Sequence, residues 1–398
     1  MLRLSPAALV AVVACGGPAP PRPAQLDPAA ATARVGRTTA GGDRYCVGAS
    51  APQLDVQVTL TDGRVLDTWS VGENRAGRLV FSTFEWTATW GVVDGDGFVR
   101  IPDDPFAAVA HPVTVDVGIP DRPDLRAQVT LAPDFGCGGQ LGALGSAGSA
   151  GRSGGSGAPG GDGASDDGQH PAQTGGRGGD GGPGGPGGPG GPGPRVAAHL
   201  AYVDTATGAR LAVLRVAAGG RTDTALFDPA GERWTIVAFG GDGGAGGGGG
   251  DGGTGGRGGA GRQPTAGTGA GSSDSPGTDG ASGGDGGDGG DAGEGGPGGP
   301  GGEITLTYDR RFPELARLVQ LDTQGGQGGP AGWAGQGGQG GPGGQGARQG
   351  RDGRPGGQGR PGAQGYPGPA GVAPAIVAGD VADVFADLAA KGVTLAAP

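Results

Sequence analysis

Glycine returns at every third position over long stretches of this chain, and that register limits what the chain can build. It holds without exception from Gly139 through Gly163 and, in the same phase, from Gly175 through Gly193. It returns from Gly240 to Gly261, from Gly284 through Gly302 and from Gly326 to Gly344. Ala347 then replaces one glycine before the register resumes from Gly350 to Gly371. Of 398 residues 102 are glycine and 34 proline, while 34% are hydrophobic and 5% aromatic, which excludes an enzyme core running the whole length.

Three residues is the repeat of a polyproline-II-type helix. Many triplets read Gly-Gly-X, with Pro183, Pro186, Pro189 and Pro192 at X in one block. Asp285, Asp288, Asp291 and Glu294 hold X in another, and Gln327, Pro330, Trp333, Gln336 and Gln339 in a third. Two edges of each helix are then bare glycine, so neighbouring backbones can approach and hydrogen-bond. The breaks at 166–174, 262–282 and 347–349 split three blocks into six runs. Three hairpin-like segments lie between them: 195–203 with 211–217, 224–227 with 234–239, and 303–308 with 318–321. The expectation is a bundle of about six antiparallel glycine-rich helices on a small β base. A disordered brush, which the composition alone implies, and a collagen-like trimer, supported by Gly350 to Gly371, are the alternatives.

Upstream the composition is that of a β-protein. Leu54, Val56, Val58 and Leu60 alternate with polar residues, the pattern of a half-buried strand. About seven short strands over 44–137 suggest a β-sandwich, with Trp69, Phe81, Phe84, Trp86 and Trp90 expected in its core. A disulfide between Cys46 and Cys137 is expected to clamp its ends. At the other end of the chain, 372–398 places Val381, Val384, Phe385 and Leu388 at helical spacing, which predicts a short amphipathic α-helix. The expected class is therefore mainly β with polyproline/polyglycine-II helices.

Met1 to Cys15 has one arginine and then an apolar run too short to span a bilayer. Val12-Val13-Ala14-Cys15 resembles the lipobox of bacterial lipoproteins. The resemblance implies removal of 1–14, diacylation of Cys15, and a Pro/Ala-rich tether over 15–43. GGX blocks with short β hairpins behind such a motif resemble the glycine-rich surface lipoproteins of GC-rich Gram-negative bacteria. The blocks themselves are similar to springtail antifreeze proteins and to polyglycine-II adhesins of phage tail fibres. A membrane anchor and β domains depart from the antifreeze pattern. The resemblance implies an outer-membrane, periplasmic or surface location.

The formal charge of −11 and the lack of a basic stripe argue against nucleic acid. His111, His170 and His199 sit in separate segments, and no metal or cofactor is expected. The acidic ladder from Asp285 to Glu294 reads as a solvated edge. An enzyme is not expected. The function expected is that of a structural envelope protein, a monomer with the trimer as alternative, touching the membrane through lipid. If the hairpins run out and back, the breaks meet at one distal end. Asp166, Asp167, Gln169 and His170, then Ser272, Ser273 and Asp274, then Arg348, Gln349 and Arg351 are the candidate recognition residues for an unidentified surface ligand.

Overall fold

A computed structural model describes residues 31–38, 44–47, 52–60, 63, 65–68, 79–102, 104–120, 122–265 and 275–398. Cys15, most of the tether and Trp69 lie outside the described residues. The chain divides into two units, Met1–Phe135 and Gly136–Pro398.

The first unit holds β1 (Ala31–Thr38), β2 (Arg44–Cys46), β3 (Asp55–Leu60), β4 (Val65–Asp67) and β5 (Glu85–Ala88). It continues with β6 (Val92–Val93), β7 (Val99–Arg100), α1 (Pro105–Ala110), β8 (Val113–Ile119) and β9 (Arg122–Asp134). The sheets are β1-β3-β4, β2-β9-β8-β5 and the pair β6-β7. Alternation along β3 turns Val56 and Val58 inward, where they meet Val117, Ile119 and Leu125 from β8 and β9. A second cluster gathers Tyr45, Leu54, Val99, Val113, Val115 and Leu131. The core is thus mostly Val and Leu, not the aromatic set expected. Phe84 is buried, whereas Phe81, Trp86 and Trp90 are only half-buried. Residues 81–83 form a 3-10 turn instead of a strand, and Trp86 Nε1 donates to the Phe81 carbonyl at 3.3 Å. Helix α1 is capped by Asp104, whose carboxylate accepts from the Phe106 amide, with Pro105 at its first position. Cys46 and Cys137 are both disulfide-bonded.

The second unit contains β10 (Gln140–Leu144), β11 (Arg195–Thr205), β12 (Arg210–Ala218), β13 (Arg221–Phe227) and β14 (Trp234–Phe239). Then come β15 (Glu303–Asp309), β16 (Val319–Asp322), β17 (Ala375–Gly379) and β18 (Val393–Leu395). One sheet is β10-β14-β16, parallel throughout. The other runs β13-β12-β11-β15-β17, with β18 also paired to β11. Leu200, Leu214, Phe227, Ile304 and Leu306 of the larger sheet share one core with Trp234, Ile236 and Val319 of the smaller. Two expected hairpins are therefore corrected. β13 and β14 belong to different sheets, and so do β15 and β16.

The expected fold class needs a larger correction. Regular structure among the described residues is β-strand in several sheets with only short helices, and no bundle of six helices exists. Glycine loses the most backbone entropy on ordering, and a run with three residues per turn makes no hydrogen bonds within itself, so such a run is held only by its neighbours. Its amides here bond sideways to other segments, not along their own run. The blocks are six extended runs: 145–166, 173–193, 239–261, 278–302, 323–346 and 350–371. Each odd run leaves a strand of the smaller sheet, and each even run leads back to the larger. Strand register is carried on into the runs. Gln140 pairs with Thr235 in the sheet, and beyond it Gly148 N donates to Asp242 O and Gly157 N to Asp251 O. Odd runs bond in parallel to odd and even to even, forming two layers. Antiparallel bonds tie the layers together, such as Gly176 N to Gly161 O and Gly284 N to Gly256 O.

The expected C-terminal α-helix is also absent. Its place is taken by β17, a 3-10 segment at Ala386–Lys391 and β18. Val381, Phe385 and Leu388 are buried there as a docked cover. Arg215 holds that cover by donating to the Val384 carbonyl, pairing with Asp387 at 2.9 Å and lying 5.1 Å over the Phe385 ring.

Candidate functional site: the end where the breaks meet

Asp166 and Asp167 fold the first break into successive side-chain turns, as short acceptors do. Asp166 Oδ1 accepts from Gly168 N at 2.8 Å, with Gly168 at φ 89. Asp167 Oδ1 accepts from Gln169 N and His170 N, and its Oδ2 lies 3.1 Å from His170 Nδ1. The His170 ring and the two amides hold the Asp167 carboxyl below its usual range. Gln169 and His170 are exposed.

The second break enters through Arg262 and Thr278. Arg262 N donates to Thr278 Oγ1, and Thr278 N donates back to the Arg262 carbonyl. The Thr278 hydroxyl then donates to Asp166 Oδ2 at 2.5 Å. Arg262 Nε stands 3.4 Å from Asp166 Oδ1, and the Asp166 side chain is only 4% exposed. The Thr278 hydroxyl, the Gly168 amide and the Arg262 charge depress the Asp166 pKa. The third break joins through Ala347 N to the Thr278 carbonyl and Gly280 N to the Arg348 carbonyl, both 2.9 Å. Arg348, Gln349 and Arg351 are exposed there.

Two of the three candidate groups are thus brought to one end, linked by Arg262 and Thr278. Neither linker stood out in the sequence, because both sit where the glycine register lapses. Ser272, Ser273 and Asp274 lie outside the described residues. Asp166 holds this end together through buried bonds, so it is less available to a ligand than its neighbours. With its pKa depressed, the stability it adds is fully present above the ordinary aspartate pKa of about 3.9. That stability is lost as pH falls through the lower folded value. Amide protection near 278–280, measured relative to the intrinsic exchange rate at each pH, is expected to fall below about pH 4 in the native chain. In Asp166→Asn that acid-dependent step should vanish, and a step of unchanged size would refute the assignment.

The acidic ladder is not merely solvated. Asp285, Asp288 and Asp291 each accept one backbone amide of the sixth run, at Arg354, Gly357 and Arg360, all at 2.7 Å. The same clasp links Asp162 to Arg257, Asp180 to Asp288, Asp242 to Gln327 and Asp251 to Gln336. In each case the clasped residue's carbonyl accepts from the amide following the aspartate. The Asp288 amide, with Arg177 beside it, holds the Asp180 pKa below its ordinary value.

Among the described residues no group of three or more His, Cys, Asp or Glu is placed to hold a metal ion, and no helix is long and apolar enough to cross a membrane. Burial, with Arg215 nearby, lowers the pKa of His199. Comparison with family models, curated proteins and solved structures gives no match.

Proposed function

We propose that this chain is a non-enzymatic structural protein of the cell envelope, held to the membrane by lipid at Cys15, whose glycine layers serve as a stiff spacer. The supporting observation is the hydrogen-bond pattern. Amides recurring every third residue along six runs are spent inside one chain, at about 2.8 Å. Extended glycine is ordinarily too costly to order, and this network offsets that cost. The same pattern favours a monomer over a collagen-like trimer, since those amides are already engaged. Mass spectrometry of the mature protein tests the anchor. A diacylated Cys15 at the N-terminus is expected, and an unmodified Cys15 overturns it.

A second reading, recognition through the distal end, is favoured by one observation. Asp166, Arg262, Thr278 and Ala347 tie the breaks to a single place. Loops fixed on a rigid scaffold are where recognition usually resides. The test replaces 167–170, 266–274 and 348–349 with Gly-Ser turns and leaves Asp166, Arg262 and Thr278 in place. If cells bearing this variant attach to surfaces as before, the spacer reading stands alone.

A further inference from the structure

Trp333 is the most exposed large hydrophobic side chain among the described residues, at 87%. It stands at the X position of the fifth run, in line with exposed Gln327, Pro330, Gln336 and Gln339. Three residues of extended chain span at most about 10 Å, so these side chains form an evenly spaced row. The backbone under the row is rigid. Trp333 O accepts from Gly249 N at 2.8 Å, and Gly252 N donates to Gln336 O at 2.8 Å.

Beside Trp333, in the third run, lies Gly248. A Cβ built there meets only Trp333 O, at 3.6 Å, so the space above it is open. Its neighbours along that run at the same edge are Ala245, then Asp242 and Asp251. A bare floor thus adjoins the row that carries the exposed indole, with Asp242 and Asp251 farther along the same edge. Asp242 and Asp251 each use Oδ1 in a clasp to the fifth run, which holds the two exposed carboxylates in place. Among the described residues the side-chain amides of Gln327 and Gln336 have no hydrogen-bond partner, and both residues are exposed.

We propose that this face binds an uncharged, flat polysaccharide strand of β-1,4-linked sugars. An indole presents an apolar plane to the C–H face of a sugar ring, and amides and carboxylates at fixed spacing take the hydroxyls. The open, straight row suits a strand laid along it, not a molecule enclosed in a cavity. The carboxylates and the net charge of −11 disfavour an anionic polymer. The site lies on the face of the runs and owes nothing to the distal loops.

The test titrates the full-length protein with cellohexaose and with chitohexaose by calorimetry. Saturable binding of at least one is expected, weakened at least tenfold by Trp333→Ala. Gly248→Gln fills the floor where a Cβ has room, so it should block binding while the melting temperature holds. Three results overturn the proposal: no heat from either sugar, binding that survives both substitutions, or a Trp333-dependent dimer in sedimentation that accounts for the exposed indole.

Discussion

Alanine at Gly250 is expected to break the glycine layers apart, while alanine two residues earlier, at Gly248, leaves them intact. A Cβ at Gly250 would lie 2.0 Å from Gly155 O and 2.5 Å from Gly155 C. At Gly249 it would lie 2.0 Å from Gly290 O, in a different run. The obstruction is backbone on both sides, so no side chain can swing aside. The third run has to retreat by more than an ångström, and each row it leaves loses its hydrogen bonds. Overpacking ordinarily costs 1–3 kcal/mol; with no soft neighbour we expect about 3 kcal/mol or more at Gly249 and Gly250. At Gly248 the nearest atom is 3.6 Å away, and a change within about 0.5 kcal/mol is expected. Calorimetric melting of the three variants checks this. Equal losses at all three positions would show that the runs are not packed as described.

The second large effect concerns the clasps. Replacing Asp285, Asp288 and Asp291 together by alanine strips the acceptor from Arg354 N, Gly357 N and Arg360 N. A single hydrogen bond contributes about 1 kcal/mol net, and these carboxylates are exposed, so the triple change is expected to cost about 2 kcal/mol. Asparagine keeps a carbonyl oxygen at Oδ1 and should recover most of that loss. Denaturant unfolding of both triple variants decides the matter. An asparagine triple as weak as the alanine triple would mean that charge, not the clasp, is what counts.

The clasps show where sequence reasoning stops. The three-residue register was visible, and it places glycine where a backbone carbonyl of another run leaves no room for Cβ. What the register could not reveal is which run meets which. Asp285 is bound to Arg354, far along the chain, so a carboxylate that looks solvated beside its own neighbours is engaged with distant ones. The strands have the same difficulty. β13 and β14 are near in sequence and similar in pattern, yet they belong to different sheets, because two faces of one core both need short apolar strands. At the C-terminus, Val381, Phe385 and Leu388 were recognisable as a buried face, but the spacing that suggests an α-helix also fits a turn followed by a 3-10 segment. Arg215, which holds that segment, comes from a strand far earlier in the chain. At the distal end Asp166 could be singled out, while Thr278 and Arg262 could not, since only tertiary placement turns an ordinary threonine into a bridge.

The passage of strand register into the runs has a consequence for how such a chain can lengthen. Each row of the layers draws one triplet from each run it crosses, and the rows are counted from the sheets. Losing or gaining a single residue inside a run slides everything beyond it out of step, leaving carbonyls facing the wrong atoms and side chains where only glycine fits. A whole triplet added to one run still strands its neighbours without partners for a row. The alteration that preserves every bond adds a triplet to the outgoing and returning arms of all three hairpins together, lifting the distal loops by one row. Reach is therefore quantised in steps of at most about 10 Å, and relatives of different length should differ by balanced nine-nucleotide insertions at matched heights.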